Sequence, residues 1–328
     1  MTRPGRVICV GHAAFDSVYR IDAFPVRPTK VTASRHDRSV GGMAANAACA
    51  IAALGGEVSL WGPIGDDETG IRITDELRSA GVVADPGFVV PGARSSHSAI
   101  IVEGSGERLI VSYRGNALEA PETLIRDRPL DADVVLIDVR WPAGARHAAA
   151  RARGLGIPIV LDAEMGNVGL VRSLVPVADH LIFSEPGWAE WLGHAPDEQE
   201  TRAALRKLVE AGARLAAVTL GERGVLYAAA PAEGSILQRQ EAPEGLAGVG
   251  GQGEHRGVAY LPAFPVIAVE TLGAGDTFHG AYALALAEGQ SLPQALRFAS
   301  AAAALRCTRS GGRAALPGRQ EVLALLAA

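Results

Sequence analysis

The sequence predicts an α/β fold: a mostly parallel sheet with helices on both faces and a small second sheet folded over it. Three observations carry this. Short apolar strand-like runs alternate with helix-like runs through much of the chain, the pattern of a parallel sheet covered on both sides. Two glycine-led helix starts, at Gly41-Gly42 and at Gly273-Ala274-Gly275, stand towards opposite ends. Two β-like stretches, about residues 14–40 and 93–115, fall outside the alternation and supply the small sheet.

Taken in order, residues 6–11 read as a buried strand followed by a loop with Asp16. Residues 18–40, interrupted by Pro25 and Pro28, read as short exposed strands. Gly41-Gly42-Met43-Ala44-Ala45-Asn46 opens an Ala-rich helix that Gly55-Gly56 stops. Residues 57–62 form a strand and 69–80 a helix ended by Gly81. Residues 97–102 and 108–113 flank Gly104-Ser105-Gly106, a hairpin signal. Strands at 133–138, 157–162, 180–184 and 215–220 then alternate with helices at 144–153 and 201–211. Residues 240–260 break the pattern and read as a long surface loop. They contain Gly248-Val249-Gly250-Gly251-Gln252-Gly253, which spells a dinucleotide fingerprint but lacks the strand before and the helix after. A helix from the second glycine turn to Glu288, and closing helices at 292–305 and 319–326, complete a single domain over 1–328.

Composition excludes several classes. With 328 residues and 48% hydrophobic content, the chain can bury a large core. A net charge of −5 argues against nonspecific nucleic-acid binding, so an anionic ligand must be held by local donors. Cys9, Cys49 and Cys307 are far apart, without a Cys-x-x-Cys pair, which fits a reducing cytoplasm. No signal peptide is read at the start and no membrane-length apolar run occurs. There is no Walker A sequence, no His-Glu-x-x-His and no Gly-x-Ser-x-Gly.

What remains is Leu272-Gly273-Ala274-Gly275-Asp276-Thr277-Phe278. Glycines allow a tight turn and close approach to a ligand. The helix that follows offers unsatisfied N–H groups and a positive dipole end, together an anion cradle. Asp276 stands at its mouth, where a carboxylate can take a proton from a hydroxyl. The structural alternative is an ordinary strand-to-helix turn with an Asp in the first turn. In a parallel sheet both glycine turns, Asp16 and Arg140 would all lie beyond the carboxyl ends of the strands, where ligands bind.

At this point the chain resembles the PfkB-type carbohydrate kinases of the ribokinase superfamily. One family signature is matched by Gly41-Gly42-Met43-Ala44-Ala45-Asn46 with Gly55 and Gly65-Asp66-Asp67-Glu68-Thr69-Gly70. The other is matched by Thr271-Leu272-Gly273-Ala274-Gly275-Asp276-Thr277-Phe278. The resemblance runs from Arg6 to near Pro317 and implies a doubly wound, ribokinase-like sheet with a β lid. It implies Asp276 as catalytic base, with Gly273, Ala274 and Gly275 as the anion hole for the γ-phosphate of ATP. It implies Asp16, Gly41, Gly42 and Asn46 as sugar binders, and Thr219, Gly221 and Gly224 against the nucleotide. Asp276 at a helix N-terminus should be a weak base, because the dipole favours its charged form. Asp16 and Asn46 suit polyol recognition: a carboxylate accepts from hydroxyls, and an amide both donates and accepts.

Two departures stand out. The family usually has Asp where Glu270 stands, at a position that often shapes a monovalent-cation site, so the use of K⁺ is left open. Ser184-Glu185-Pro186-Gly187 replaces an Asn-x-x-Glu that organises Mg²⁺ water, which leaves Glu185 as the carboxylate for Mg²⁺ through water.

Asp138-Val139-Arg140-Trp141, Phe183-Ser184-Glu185-Pro186-Gly187, Ser95-Ser96-His97-Ser98-Ala99-Ile100, Gly106-Glu107-Arg108 and the stretch from Arg306 to Arg313 resemble the 6-deoxy-6-sulfofructose kinase branch. Arg140 is the candidate for the sulfonate, since a guanidinium presents several donors in a fixed fork. A neutral ketose such as fructose stays open, because Asn46 suits neutral sugars. A nucleoside kinase and a non-catalytic sugar sensor are the further readings. The 5% aromatic content argues against a base clamp, and intact Asp276 with its glycines argues against a sensor. The resemblance also implies a possible homodimer through the lid.

Overall fold

The computed structural model describes residues 3–104, 107–118, 123–126, 128–230 and 257–328. In chain order, β1 (Arg6–Val10), β2 (Ala14–Arg20) and β3 (Arg35–Gly41) lead into α1 (Met43–Ala53) and β4 (Glu57–Trp61). Next come β5 (Ile64–Gly65), α2 (Glu68–Ser79), β6 (Val83–Ala84), β7 (Val89–Val90), β8 (Ser96–Val102) and β9 (Arg108–Tyr113). The alternating part holds α3 (Thr123–Arg126), β10 (Val134–Ile137), α4 (Pro142–Leu155), β11 (Ile159–Ala163), α5 (Val168–Leu174) and β12 (His180–Ser184). It continues with α6 (Glu185–Leu192), α7 (Glu198–Glu210), β13 (Leu215–Thr219), β14 (Val225–Ala229) and β15 (Val258–Leu261). The helices α8 (Ala274–Ala287), α9 (Leu292–Cys307) and α10 (Arg319–Ala327) close the chain.

Among the described residues the main sheet has nine strands in the order β15-β14-β13-β12-β11-β10-β1-β4-β6. From β6 to β12 neighbouring strands pair in parallel. Alternate side chains go to opposite faces, as the two-residue period of a strand requires. Val7 and Cys9 of β1 join the core beneath α1, α8 and α9, while Ile8 and Val10 join the core beneath α4. Both faces are thus buried, which is why these strands read as continuous apolar runs. The order reverses at β1, flanked by β4 on one side and β10 on the other. A crevice opens at such a switch point, beyond the carboxyl ends of the strands.

The second sheet has the order β3-β2-β8-β9, built from the two stretches outside the alternation. β2 pairs antiparallel with β3 and parallel with β8, and β8 pairs antiparallel with β9. The hairpin signal between β8 and β9 lies partly outside the described residues, since Ser105 and Gly106 are not among them.

The differences from expectation sit at one edge and in short helices. β14 and β15 are antiparallel to their neighbours, so the sheet is mixed there. β15 falls inside the stretch read as a long loop, and residues 241–256, with the dinucleotide-like glycines, lie outside the described residues. α5 and α6 are too short to show a helical period, yet both are announced by caps: Asn167 accepts from Leu170 N–H, and Ser184 from Gly187 N–H. α7 starts earlier than read, because the Asp197 side chain caps it.

Candidate active site

Two helices aim their N-termini at the crevice, and they lie against each other. α1 and α8 are both Ala-rich, and small residues allow a close approach. A Cβ added at Gly280 of α8 would come within 2.5 Å of the Ala47 carbonyl oxygen of α1. This contact brings the Asn46 amide to Asp276, where Nδ2 donates to Oδ2 at 2.7 Å.

The start of α1 is filled by protein. Its N-cap is Gly42, with φ of 94°, and a Cβ there would lie 2.5 Å from the His12 carbonyl oxygen. The Ala44 N–H donates to Asp138 Oδ2 at 3.1 Å and the Ala45 N–H to His12 O at 3.3 Å. Asp138, at the end of β10, also accepts from the His12 N–H at 2.8 Å and the Arg140 N–H at 2.8 Å. One buried carboxylate therefore ties the ends of β1 and β10 to the first glycine turn. Gly41 has no room for a side chain because Asp16 packs against it.

The start of α8 is open. Its N-cap Gly273 is left-handed, with φ of 77°, and among the described residues no side chain caps the helix. Around Gly275 none of the described residues beyond its own helix backbone lies within 4 Å of where a Cβ would be. Among the described residues the N–H groups of Gly275 and Asp276 meet no acceptor. Gly273 lines a cavity of about 310 Å³ that also presents Asp16, Asn46, Thr277 and Arg306. That size lies at the small end of ligand pockets.

Burial sets the acidities here. It lifts the Asp276 carboxyl to about 7, and neighbouring Asp162 pushes the same way, while the Asn46 hydrogen bond opposes. The expectation was a weak base held ionised by the helix dipole; the direction here is upward, with removal from water as the largest cause. Burial likewise lifts Asp16 to about 6, against a hydrogen bond from Ser98. Asp162, buried on β11, is raised well above its ordinary value by burial and by nearby Glu164 and Asp138. His279 Nδ1–H donates to Gly275 O, 2.8 Å away, and burial lowers the pKa of the ring.

The remaining predicted residues stand along the same rim. Arg140 follows β10; its guanidinium donates to the neutral Met165 carbonyl at 3.2 Å, and its backbone N–H takes Asp138. Thr219, at the end of β13, is in register with Ser184 at the end of β12 and donates to Phe183 O at 3.3 Å. Gly221 and Gly224 shape the turn into β14, and a Cβ at Gly224 would strike the Leu261 carbonyl. Glu185 opens α6 at the surface and pairs with Arg223. The titratable groups that act on Asp276 are instead Asp162, His279 and Asp138, with Glu164 acting on Asp162. Asp138, Asp162, Glu164, His279 and Arg306 were missed as site residues; the signal that could have found the first two is an Asp at the end of an otherwise apolar strand.

Among the described residues no group of three or more His, Cys, Asp or Glu could hold a metal ion directly. Mg²⁺ fits this donor set in the way it usually binds, through water and nucleotide phosphates with few protein carboxylates. Among the described residues no helix is long and apolar enough to cross a membrane.

An uncapped helix start beside a carboxylate titrating near neutrality, over a pocket of hydroxyl-binding groups, defines a phosphotransferase with an alcohol as acceptor. The family model of the pfkB family carbohydrate kinases matches residues 5–319, and the chain belongs to that family. It is 31% identical to a ribokinase of Bacillus subtilis, covering 98% of this chain and 99% of that one. A putative ribokinase from Agrobacterium tumefaciens superposes with a TM-score of 0.81 at 34% identity, covering 99% and 98% of the two chains. The Arabidopsis thaliana ribokinase complexed with ribose and ATP superposes with a TM-score of 0.76 at 25% identity, covering 99% of each chain.

Proposed function

We propose that this sugar kinase transfers the γ-phosphoryl group of ATP to a primary hydroxyl of its sugar. The observation that supports this is the contrast at α8: unsatisfied N–H groups at Gly275 and Asp276, with open space around Gly275. The terminal phosphate oxygens take those N–H groups. The acceptor hydroxyl oxygen attacks phosphorus in line, the bond to the bridging oxygen of ADP breaks, and the hydroxyl proton passes to Asp276. Phosphoryl transfer passes through a loose transition state, so holding the reactants and neutralising charge does most of the work. Asp16, Gly41, Gly42 and Asn46 hold the sugar; Thr219, Gly221 and Gly224 border the nucleotide. Mg²⁺, when bound, neutralises the phosphate oxygens. Glu185, which Arg223 engages, and Glu164, which influences Asp162, are the carboxylates that would serve its water shell.

For the acceptor we carry 6-deoxy-6-sulfofructose, phosphorylated at its 1-hydroxyl. Its support is Arg140, whose guanidinium rests on a neutral carbonyl at the rim of the crevice. The second reading is a neutral sugar, ribose or fructose; uncharged Met43 beside Asn46 and the ribokinase names of the relatives favour it. A coupled ADP-release screen of ribose, fructose and sulfofructose decides between them. Arg140→Ala should weaken a sulfonated ketose about tenfold or more, the scale of one lost charge-assisted contact, and leave fructose unchanged. Equal losses on both refute the sulfonate. A homodimer is proposed through the small sheet, where β9 exposes Leu109, Val111 and Tyr113 on one face; sedimentation over a concentration series tests it.

A further inference from the structure

The resemblance brings a monovalent-cation site beside the catalytic turn, and the residues present do not fit one. Glu270 is only 9% exposed at its side chain and faces two guanidiniums. Arg306 Nη2 donates to its Oε1 at 3.0 Å, and Arg20 Nη2, reaching over from β2, donates to its Oε2. Arg306 is itself 3% exposed, and its Nη1 donates to the Arg309 carbonyl oxygen at 3.0 Å. One guanidinium thus spans a carboxylate and a carbonyl, the oxygen donors that a K⁺ ion would seek. A Cβ on Gly273 would lie 3.9 Å from Arg306 Nε, so this side chain stands directly behind the anion cradle. The backbone is pinned there as well: the Val269 and Glu270 N–H groups both donate to Cys307 O, at 2.7 and 3.1 Å.

We propose that Arg306 is the built-in cation of the phosphoryl-binding turn, and that the enzyme therefore needs no monovalent metal ion. Two guanidiniums against one carboxylate leave a positive unit behind the N-terminus of α8. That charge adds to the helix dipole at the place where the γ-phosphate gains negative charge. A metal cation entering the same space would meet this fixed charge and find its oxygen donors taken. Arg306 lines the cavity behind Gly273, positions the Gly273 turn and sets the field there.

The inference rests on the kinase reading, so its test includes a measurement that needs no turnover. Wild-type protein freed of K⁺ is assayed and melted in chloride salts of K⁺, Na⁺ and tetramethylammonium, at a common ionic strength of about 0.1 M so that screening is equal. Turnover and melting temperature should agree across the three salts. Arg306→Lys, which keeps the charge, should stay independent of K⁺. Arg306→Met should lose about tenfold or more in turnover, the scale of a lost charge-stabilising group. A K⁺-specific rise in wild-type turnover or melting temperature overturns the proposal, as does wild-type turnover in Arg306→Met. Absence of ADP release with every sugar would instead refute the kinase reading, and the melting series would still report on the cation.

Discussion

The two glycine turns look alike as letters and do different work. At Gly41-Gly42 each glycine is forced by neighbours, Asp16 at the first and the His12 carbonyl at the second, and the helix N–H groups are met by Asp138 and His12. At Gly273–Gly275 the helix is again entered through a glycine of positive φ, but among the described residues Gly275 faces open space and the Gly275 and Asp276 N–H groups are left over. A glycine can be required by the protein or kept clear for a ligand. The distinction lies in what a methyl group would strike.

Substitutions can break this contrast. Asp276→Asn should leave the sugar bound and cut turnover about a thousandfold, within the range of general-base loss; retained turnover would remove the base from the mechanism. Gly42→Ala should cost roughly 1–3 kcal/mol in chemical denaturation, from the positive φ and the clash with His12. Gly275→Ala should leave stability within about 0.5 kcal/mol, as substitutions in open space do, and raise the KM for ATP. If the two alanines behaved alike, the division between a packed turn and an open one would fail.

The acidity of Asp276 sharpens the same point. The rate with saturating ATP should rise with pH through about 7 as the base ionises. For stability the sign is opposite. A raised folded-state pKa means that the native state holds this proton more tightly than the unfolded chain does. That contribution is complete below the ordinary Asp value near 3.8 and is lost as pH rises through about 7. Asp276→Asn should therefore melt a few degrees above wild type at alkaline pH, and the gap should close as the pH falls towards 4. A gap that does not vary with pH would mean that Asp276 is ionised throughout.

Much of this was legible in the sequence where information is local. The glycine turns, Asp276 and Asn46 lie in two short stretches, and the strand periods of the parallel sheet are plain. What escaped depends on partners far along the chain. Asp138 matters because it meets His12 and Ala44, and Arg306 because it meets Glu270. The pKa of Asp276 escaped for the same reason: the dipole belongs to its own helix, but its burial and the push from Asp162 come from the folded structure around it. β14 and β15 were hidden because the chain between them is long and breaks the strand-helix rhythm.

The meeting of Gly280 with Ala47 has a consequence beyond packing. It sets the spacing between the helix start proposed to grip the acceptor and the one proposed to grip the donor. A single methyl at position 280 would act as a shim in that seam, prising the Asp276 carboxylate from the Asn46 amide while altering neither. The alanines that line these two rods are thus a ruler for the chemistry, cut to a length that no larger side chain preserves.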